Sequence, residues 1–255
     1  MDILQAVVLG IIQGITEWLP ISSSAHLAIA QHIMGLEIPV AFDIMLHFGT
    51  LMAVIACYRR EIISMAKNIT ANENKSYIIC LICTTAITGI IGIAVKDFFE
   101  SMFSNLFMVG IALMITGVWL LVVGRMKTSA NGNISVKDAL AIGLAQGIAV
   151  APGISRSGAT IGTGIALGIE PKAAAKYSFL AAIPAIIGAT VIEGRTIFST
   201  SMAINPIAIL AGTLVSAIVG YFSIGLLVSL LEQGKFALFG YYCLAVGLTV
   251  AFLSR

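Results

Sequence analysis

The chain has 255 residues, of which 59% are hydrophobic and 10% charged, with a net charge of +2. A soluble domain of this length normally carries about a quarter charged residues, so there is too little polar material here for a water-facing surface. Repeated apolar runs near the ~20 residues that cross a bilayer instead predict an all-α, polytopic integral membrane protein, and the small net charge gives no reason to expect a nucleic-acid partner.

The N-terminus carries no basic region or small-residue cleavage site, so no removable signal peptide is expected. The first apolar stretch, about 3–34, is interrupted by Pro20 and by Ser22, Ser23 and Ser24. Uninterrupted spans follow at about 44–57, 77–95 and 104–124. A second interrupted stretch, about 138–168, breaks at Pro152-Gly153 and Ser155 to Ser157, and spans at about 177–192, 203–231 and 236–254 complete the chain. Lys67 to Lys75, in the most basic segment, reads as a solvated loop. The expectation is six full crossings and two re-entrant broken helix pairs, about ten helical pieces in one membrane domain over 1–255.

The two interrupted stretches match each other. Gly10-x-x-Gln13-Gly14-Ile15 and Ser22 to Ser24 align without gaps onto Gly143-x-x-Gln146-Gly147-Ile148 and Ser155 to Ser157, at a constant offset of 133. Halves 1–126 and 134–255 thus form an internal repeat, each a broken pair followed by three crossings. An odd number of crossings turns the second half over, giving an inverted-topology repeat. That arrangement puts Arg59, Arg60, Lys67, Lys75, Arg125, Lys127, Lys137, Lys172, Lys176 and Lys235 on one face. The other face receives Lys96, Arg195 and Arg255. The positive-inside rule then places both termini outside, and the two broken pairs, entering from opposite faces, meet near the midplane.

The chemistry gathers at that meeting point. Gln13 and Glu17, four apart, share one helix face. Pro20 ends that helix, Ser22 to Ser24 offer N-caps for the next, and His26 lies in its first turn. In the second copy Pro152-Gly153 breaks the chain, Ser155 or Ser157 can cap, and Thr160 adds a hydroxyl one turn on. Arg156 stands where the first copy has Ser23; it cannot be buried unpaired, and its fork of donors fits phosphate. Two helix N-termini, a guanidinium, hydroxyls, an imidazole and a carboxylate form a site for a multiply charged anion, phosphate before carboxylate. A serine or histidine could attack phosphorus, and Glu17 could hold a divalent ion or handle a proton.

GIIQGITEWLPISSSAHL and APGISRSGAT closely resemble the glutamate-rich and PGxSRSxxT signatures of the bacitracin-resistance-type undecaprenyl-diphosphatases, and the likeness covers the whole chain. The resemblance implies a multi-pass enzyme of the plasma membrane that removes the terminal phosphate of a polyprenyl diphosphate, recycling the lipid carrier of cell-envelope glycan assembly. It implies an active site of Glu17, Ser23, His26, Ser155, Arg156, Ser157 and Thr160 that opens to the outer face and requires a divalent cation, Mg2+ or Ca2+, with Glu17 as its ligand. Gln13, Ser22, Ser24 and Gly153 join the substrate-binding set. The family often has glutamate where this chain has Gln13, which puts the carboxylate role on Glu17 alone. Ser23 as nucleophile, with His26 as base or general acid, is preferred to attack by His26. A homodimer is compatible with the sequence.

A transporter or flippase for an anionic isoprenoid lipid is the main alternative, since inverted repeats with broken helices suit alternating access. The Ser23, His26 and Glu17 set goes beyond what pure binding needs. An intramembrane serine hydrolase is a weaker rival, because acyl transfer calls for neutral oxyanion donors and not a buried guanidinium. His32 and His47 have less polar company than His26, and Asp43 is read as lying near a membrane surface. Trp18 and Trp119 are read as packing or interfacial residues, the four cysteines as small core residues, and the acceptor sequences at Asn68 and Asn74 are set aside because their basic loop is cytoplasmic.

Overall fold

A computed structural model describes residues 1–95, 98–99, 102, 105–126, 132–199 and 205–254, which fold into eleven helices. In chain order they are α1 (Ile3–Trp18), α2 (Ser23–Ile33), α3 (Val40–Cys57), α4 (Arg59–Lys67), α5 (Asn72–Ala94), α6 (Leu106–Val123), α7 (Val136–Ile148), α8 (Arg156–Ala166), α9 (Pro171–Ser199), α10 (Pro206–Glu232) and α11 (Ala237–Leu253). Lys96, Lys127 and Arg255, and the side chain of Arg195, lie outside the described residues.

Among the described residues Arg59–Lys67 is helical where the charge run reads as loop. Only Asn68 to Ala71 separate α4 from α5, so the expected Lys67 to Lys75 loop shrinks to these four residues. The bend between α3 and α4 is 70°, and no residue of α4 is buried. Charge governs where a segment is solvated and not which backbone it adopts, and arginine, lysine and glutamate are all good helix formers.

Helices α5, α6, α9 and α10 are each long and apolar enough to cross a membrane, and the bent α3–α4 pair makes a fifth candidate. Helices α1 and α11 are apolar but shorter. Ile82, Ile90, Phe222, Leu248 and Phe252 are 61–74% exposed. A surface so apolar is stable only against lipid tails, and the chain is a multi-pass membrane protein.

Local signals account for the helix boundaries. Asp2 caps α1 and forms a capping box with Gln5; Ser135 and Asp138 do the same for α7. Asn105 caps α6 and Asn205, followed by Pro206, caps α10. The two broken pairs are built alike: α2 and α8 begin 133 residues apart and end 133 residues apart. Each closes on a glycine of positive φ, Gly35 at 63° and Gly168 at 86°, the conformation that a helix C-terminus most often demands.

Helix α1 packs on α10, α7 on α5, and α11 on α6. The last contact is a seam of facing glycines. A Cβ on Gly110 would lie 2.8 Å from the Gly247 carbonyl oxygen, and one on Gly240 2.8 Å from that of Gly117. Such spacing lets backbones touch where no hydrophobic effect drives helices together.

Candidate active site

The breaks between α1 and α2 and between α7 and α8 are in direct contact. Ser157 Oγ donates to the Leu19 carbonyl at 3.0 Å, and Cys243 Sγ, from α11, lies 3.6 Å from the Pro20 carbonyl. A Cβ on Gly158 would come within 3.3 Å of Pro20 Cβ, tighter than ordinary contact, so a side chain there would press on the first break. Gly153 supports the second break with φ of 96°, where an added Cβ would meet the Val109 carbonyl oxygen at 2.6 Å. Thr116 of α6 fixes that turn by donating to the Gly153 carbonyl at 3.0 Å and accepting from the Ser155 amide at 3.2 Å.

Glu17, at the last turn of α1, is the hub. Its side chain is 6% exposed, and one carboxylate oxygen pairs with a terminal nitrogen of Arg156, the first residue of α8. The other oxygen accepts from Gln13 Nε2 at 3.0 Å and from Ser23 Oγ at 2.6 Å, and His47 Nε2 lies 3.5 Å away. A carboxylate this deep is tolerable because it is paired and fully hydrogen-bonded. The Arg156 guanidinium lies over the buried Trp18 ring, 5.4 Å from its centroid, and its remaining terminal nitrogen is buried without a partner. A cation held on an aromatic face with unused donors is a preformed anion receptor.

Both N-termini of the short helices are capped by serine. Ser22 adopts φ of 67°, a left-handed conformation that costs a non-glycine residue about 1–2 kcal/mol, and its hydroxyl accepts from the Ala25 amide and lies 3.1 Å from Ser24 Oγ. Ser155 accepts from the Gly158 amide at 3.1 Å, with Ser157 Oγ at 3.2 Å. Thr160 is bound into the protein by its own helix and by Ser178 Oγ at 2.6 Å. At the offset of 133, Gln146 sits where Gln13 does, but Val150 replaces Glu17 and the amide donates to Thr88 instead. The carboxylate chemistry is confined to the first of the two broken pairs.

The structure therefore brings together Gln13, Glu17, Ser23 and Arg156, and packs Ser155, Ser157, Thr160 and Gly153 around them as supports. His26 stands apart from this hub: its Nδ1 is 2.8 Å from the Ser22 carbonyl and its Nε2 is 2.8 Å from the Tyr242 hydroxyl, so neither nitrogen addresses Ser23. His32 is exposed. Sequence reasoning gave His47 little weight, although an imidazole within a crossing, one turn from Asp43, is the signal that finds it. It read Trp18 as a packing or interfacial residue, where adjacency to Glu17 hinted at more. Tyr242, Thr116 and Ser178 carried no signal, since hydroxyls recur throughout these spans.

Among the described residues no three His, Cys, Asp or Glu side chains converge as a ready cation cage. The buried amide oxygen of Gln13 does lack a partner, next to Glu17. Mg2+ commonly takes one or two carboxylates together with substrate phosphates, and that donor set fits the residues present.

Residues 6–249 match the family described as Bacitracin resistance protein BacA. The undecaprenyl-diphosphatase of Halothermothrix orenii is 39% identical over 262 residues, covering 100% of this chain and 99% of that protein. That of Methanosphaera stadtmanae is 38% identical over 274 residues, with 100% and 99% covered. The one from Treponema denticola is 36% identical over 260 residues, with 97% and 96% covered.

Proposed function

The chain belongs to the bacitracin resistance BacA family and is an undecaprenyl-diphosphatase, and we propose that Ser23, Glu17 and Arg156 carry its chemistry. The observation that carries this reading is the shared carboxylate: one oxygen of Glu17 takes the Ser23 hydroxyl at 2.6 Å while the other anchors the arginine whose free donors await an anion. Ser23 is aimed at whatever Arg156 binds.

The terminal phosphate sits on the unpartnered nitrogen of Arg156 and on the amides that open α2 and α8, where helix dipoles favour negative charge. Ser23 Oγ attacks the terminal phosphorus and passes its proton to Glu17. The bond from phosphorus to the bridging oxygen breaks, and the lipid leaves as its monophosphate, which at neutral pH needs no added proton. Water then attacks the phosphoserine and gives a proton to His26, which releases it to solvent. Inorganic phosphate departs as Ser23 Oγ recovers its proton from Glu17. A divalent cation held by Glu17 and the Gln13 amide oxygen would supply charge neutralisation at the phosphate oxygens. Ser22, Ser24, Ser155, Ser157, Thr160 and Gly153 shape the cradle by capping and turning the two breaks.

The topology we infer has α3, α5, α6, α9, α10 and α11 crossing and the two broken pairs entering from opposite faces, the halves inverted over 1–126 and 134–255. The matched bounds of α2 and α8 and the reciprocal packing of α1 on α10 and α7 on α5 support it. Both termini and the mouth of the site then lie outside, where lipid carrier is left as diphosphate.

The test is release of inorganic phosphate from an isoprenoid diphosphate of C15 or longer by purified protein in detergent. Ser23→Ala and Glu17→Gln are expected to remove it while the protein stays folded. Parental turnover in either variant would remove that residue from the chemistry, and lipid movement across liposomes without phosphate release would return the transporter reading.

A further inference from the structure

We propose that Tyr242 is a positioning residue for His26, fixing the ring atom through which that histidine exchanges protons. The inference rests on the reading in which His26 serves the hydrolysis.

Tyr242 comes from α11, in the opposite half of the chain, 216 residues from His26. It meets the imidazole edge to edge. Its hydroxyl lies 2.8 Å from His26 Nε2, and the two rings, centroids 5.7 Å apart and planes 9° from parallel, are close to coplanar, the arrangement that aims the hydroxyl along the Nε2 lone pair. A carbonyl oxygen can only accept, so the 2.8 Å contact with Ser22 O makes Nδ1 the protonated nitrogen. In the neutral ring Nε2 then has only a lone pair, and the Tyr242 hydroxyl must donate to it. The tautomer, the ring plane and the free direction of Nε2 are all set by these two partners.

His26 needs this help because the Ser22 carbonyl alone leaves its Nε2 edge unheld. Glu17 is occupied by Arg156, Gln13 and Ser23, and an imidazole in the first turn of a short helix can swing about its side-chain torsions. Tyr242 is 43% exposed, so Nε2 lies toward the protein surface and outside the sealed hub. A hydroxyl that donates to Nε2 between turnovers yields to the incoming water without any change in the tautomer. The Ser22 carbonyl holds the Nδ1 side of the ring meanwhile.

The protein contains three histidines, so selective labelling of their ring nitrogens gives a spectrum simple enough to assign with His26→Asn. Tyr242→Phe keeps the ring and removes the hydroxyl. In full-length protein in detergent it is expected to lower kcat about tenfold, a part of the ~10²–10⁴ that positioned acid–base groups contribute, with KM within about twofold of parent. The His26 Nε2 resonance should shift as it loses its donor and the ring its fixed direction, while Nδ1 stays protonated on the Ser22 carbonyl. Tyr242→Leu, lacking ring and hydroxyl, should fall further. Parental kcat in Tyr242→Phe, or unchanged His26 resonances, overturns the proposal while leaving Ser23 and Glu17 in their roles. Parental turnover in His26→Asn removes His26 from the reaction and takes this inference with it.

Discussion

Replacing Arg156 with lysine separates charge from geometry at the phosphate cradle. Alanine there would confound the two, because Glu17 would be left buried without its cation, a change that typically destabilises by about 3–5 kcal/mol. Lysine keeps the positive charge beside Glu17, so the fold should survive. What it gives up is visible in the structure. The guanidinium engages Glu17 with one terminal nitrogen and holds the other free for substrate, whereas a single ammonium cannot span both directions. Losing one charge-assisted hydrogen bond amounts to about 1.5–3 kcal/mol. Losing the better part of the stack on Trp18 adds about 0.5–1 kcal/mol. Together these predict a fall of about 30- to 1,000-fold in kcat/KM, at about 1.4 kcal/mol per factor of ten. The assay is phosphate release from farnesyl or undecaprenyl diphosphate by purified protein, with thermal unfolding in the same detergent as a control. Arg156→Lys within threefold of the parent, in a protein of unchanged Tm, would refute the assignment of substrate to the free nitrogen.

Gly153→Ala places a methyl 2.6 Å from the Val109 carbonyl oxygen at a φ of 96°, and should lower Tm by several degrees and turnover with it. Ser157→Ala removes the hydrogen bond that ties the two breaks together but leaves the Leu19 carbonyl its bond from the Ile21 amide; a loss of about 0.5–1.5 kcal/mol of stability is expected, measured by thermal unfolding, with a smaller effect on KM than on kcat. Chelator should abolish phosphate release and added Mg2+ or Ca2+ restore it; unchanged release after exhaustive chelation would remove the cation from Glu17.

Much of the site was legible in the sequence because its makers act locally. Pro20 stops a helix wherever it occurs, Ser22 and Ser155 cap because their hydroxyls reach an amide three residues on, and Glu17 and Arg156 are too expensive at membrane depth to be incidental. The partnership of those two residues was read as proximity only; that one carboxylate would serve Arg156 and Ser23 at once depends on how α1 and α8 meet. His26 was expected to serve Ser23, being three residues along the same helix. Its rotamer instead turns to the Ser22 carbonyl one turn back and to Tyr242, a partner supplied by α11 and invisible in any local window. Helix α4 escaped notice because a run of charges describes solvation and is silent on backbone conformation.

The glycine seam between α6 and α11 reaches beyond those two helices. One of them delivers Thr116 to the second break, the other delivers Tyr242 to the first, so the width of their joint is a gauge on which the whole cradle is set. A single methyl at Gly117 or Gly240 would act as a shim, parting the walls by a fraction of an ångström and loosening both ends together, far from any atom that touches phosphate.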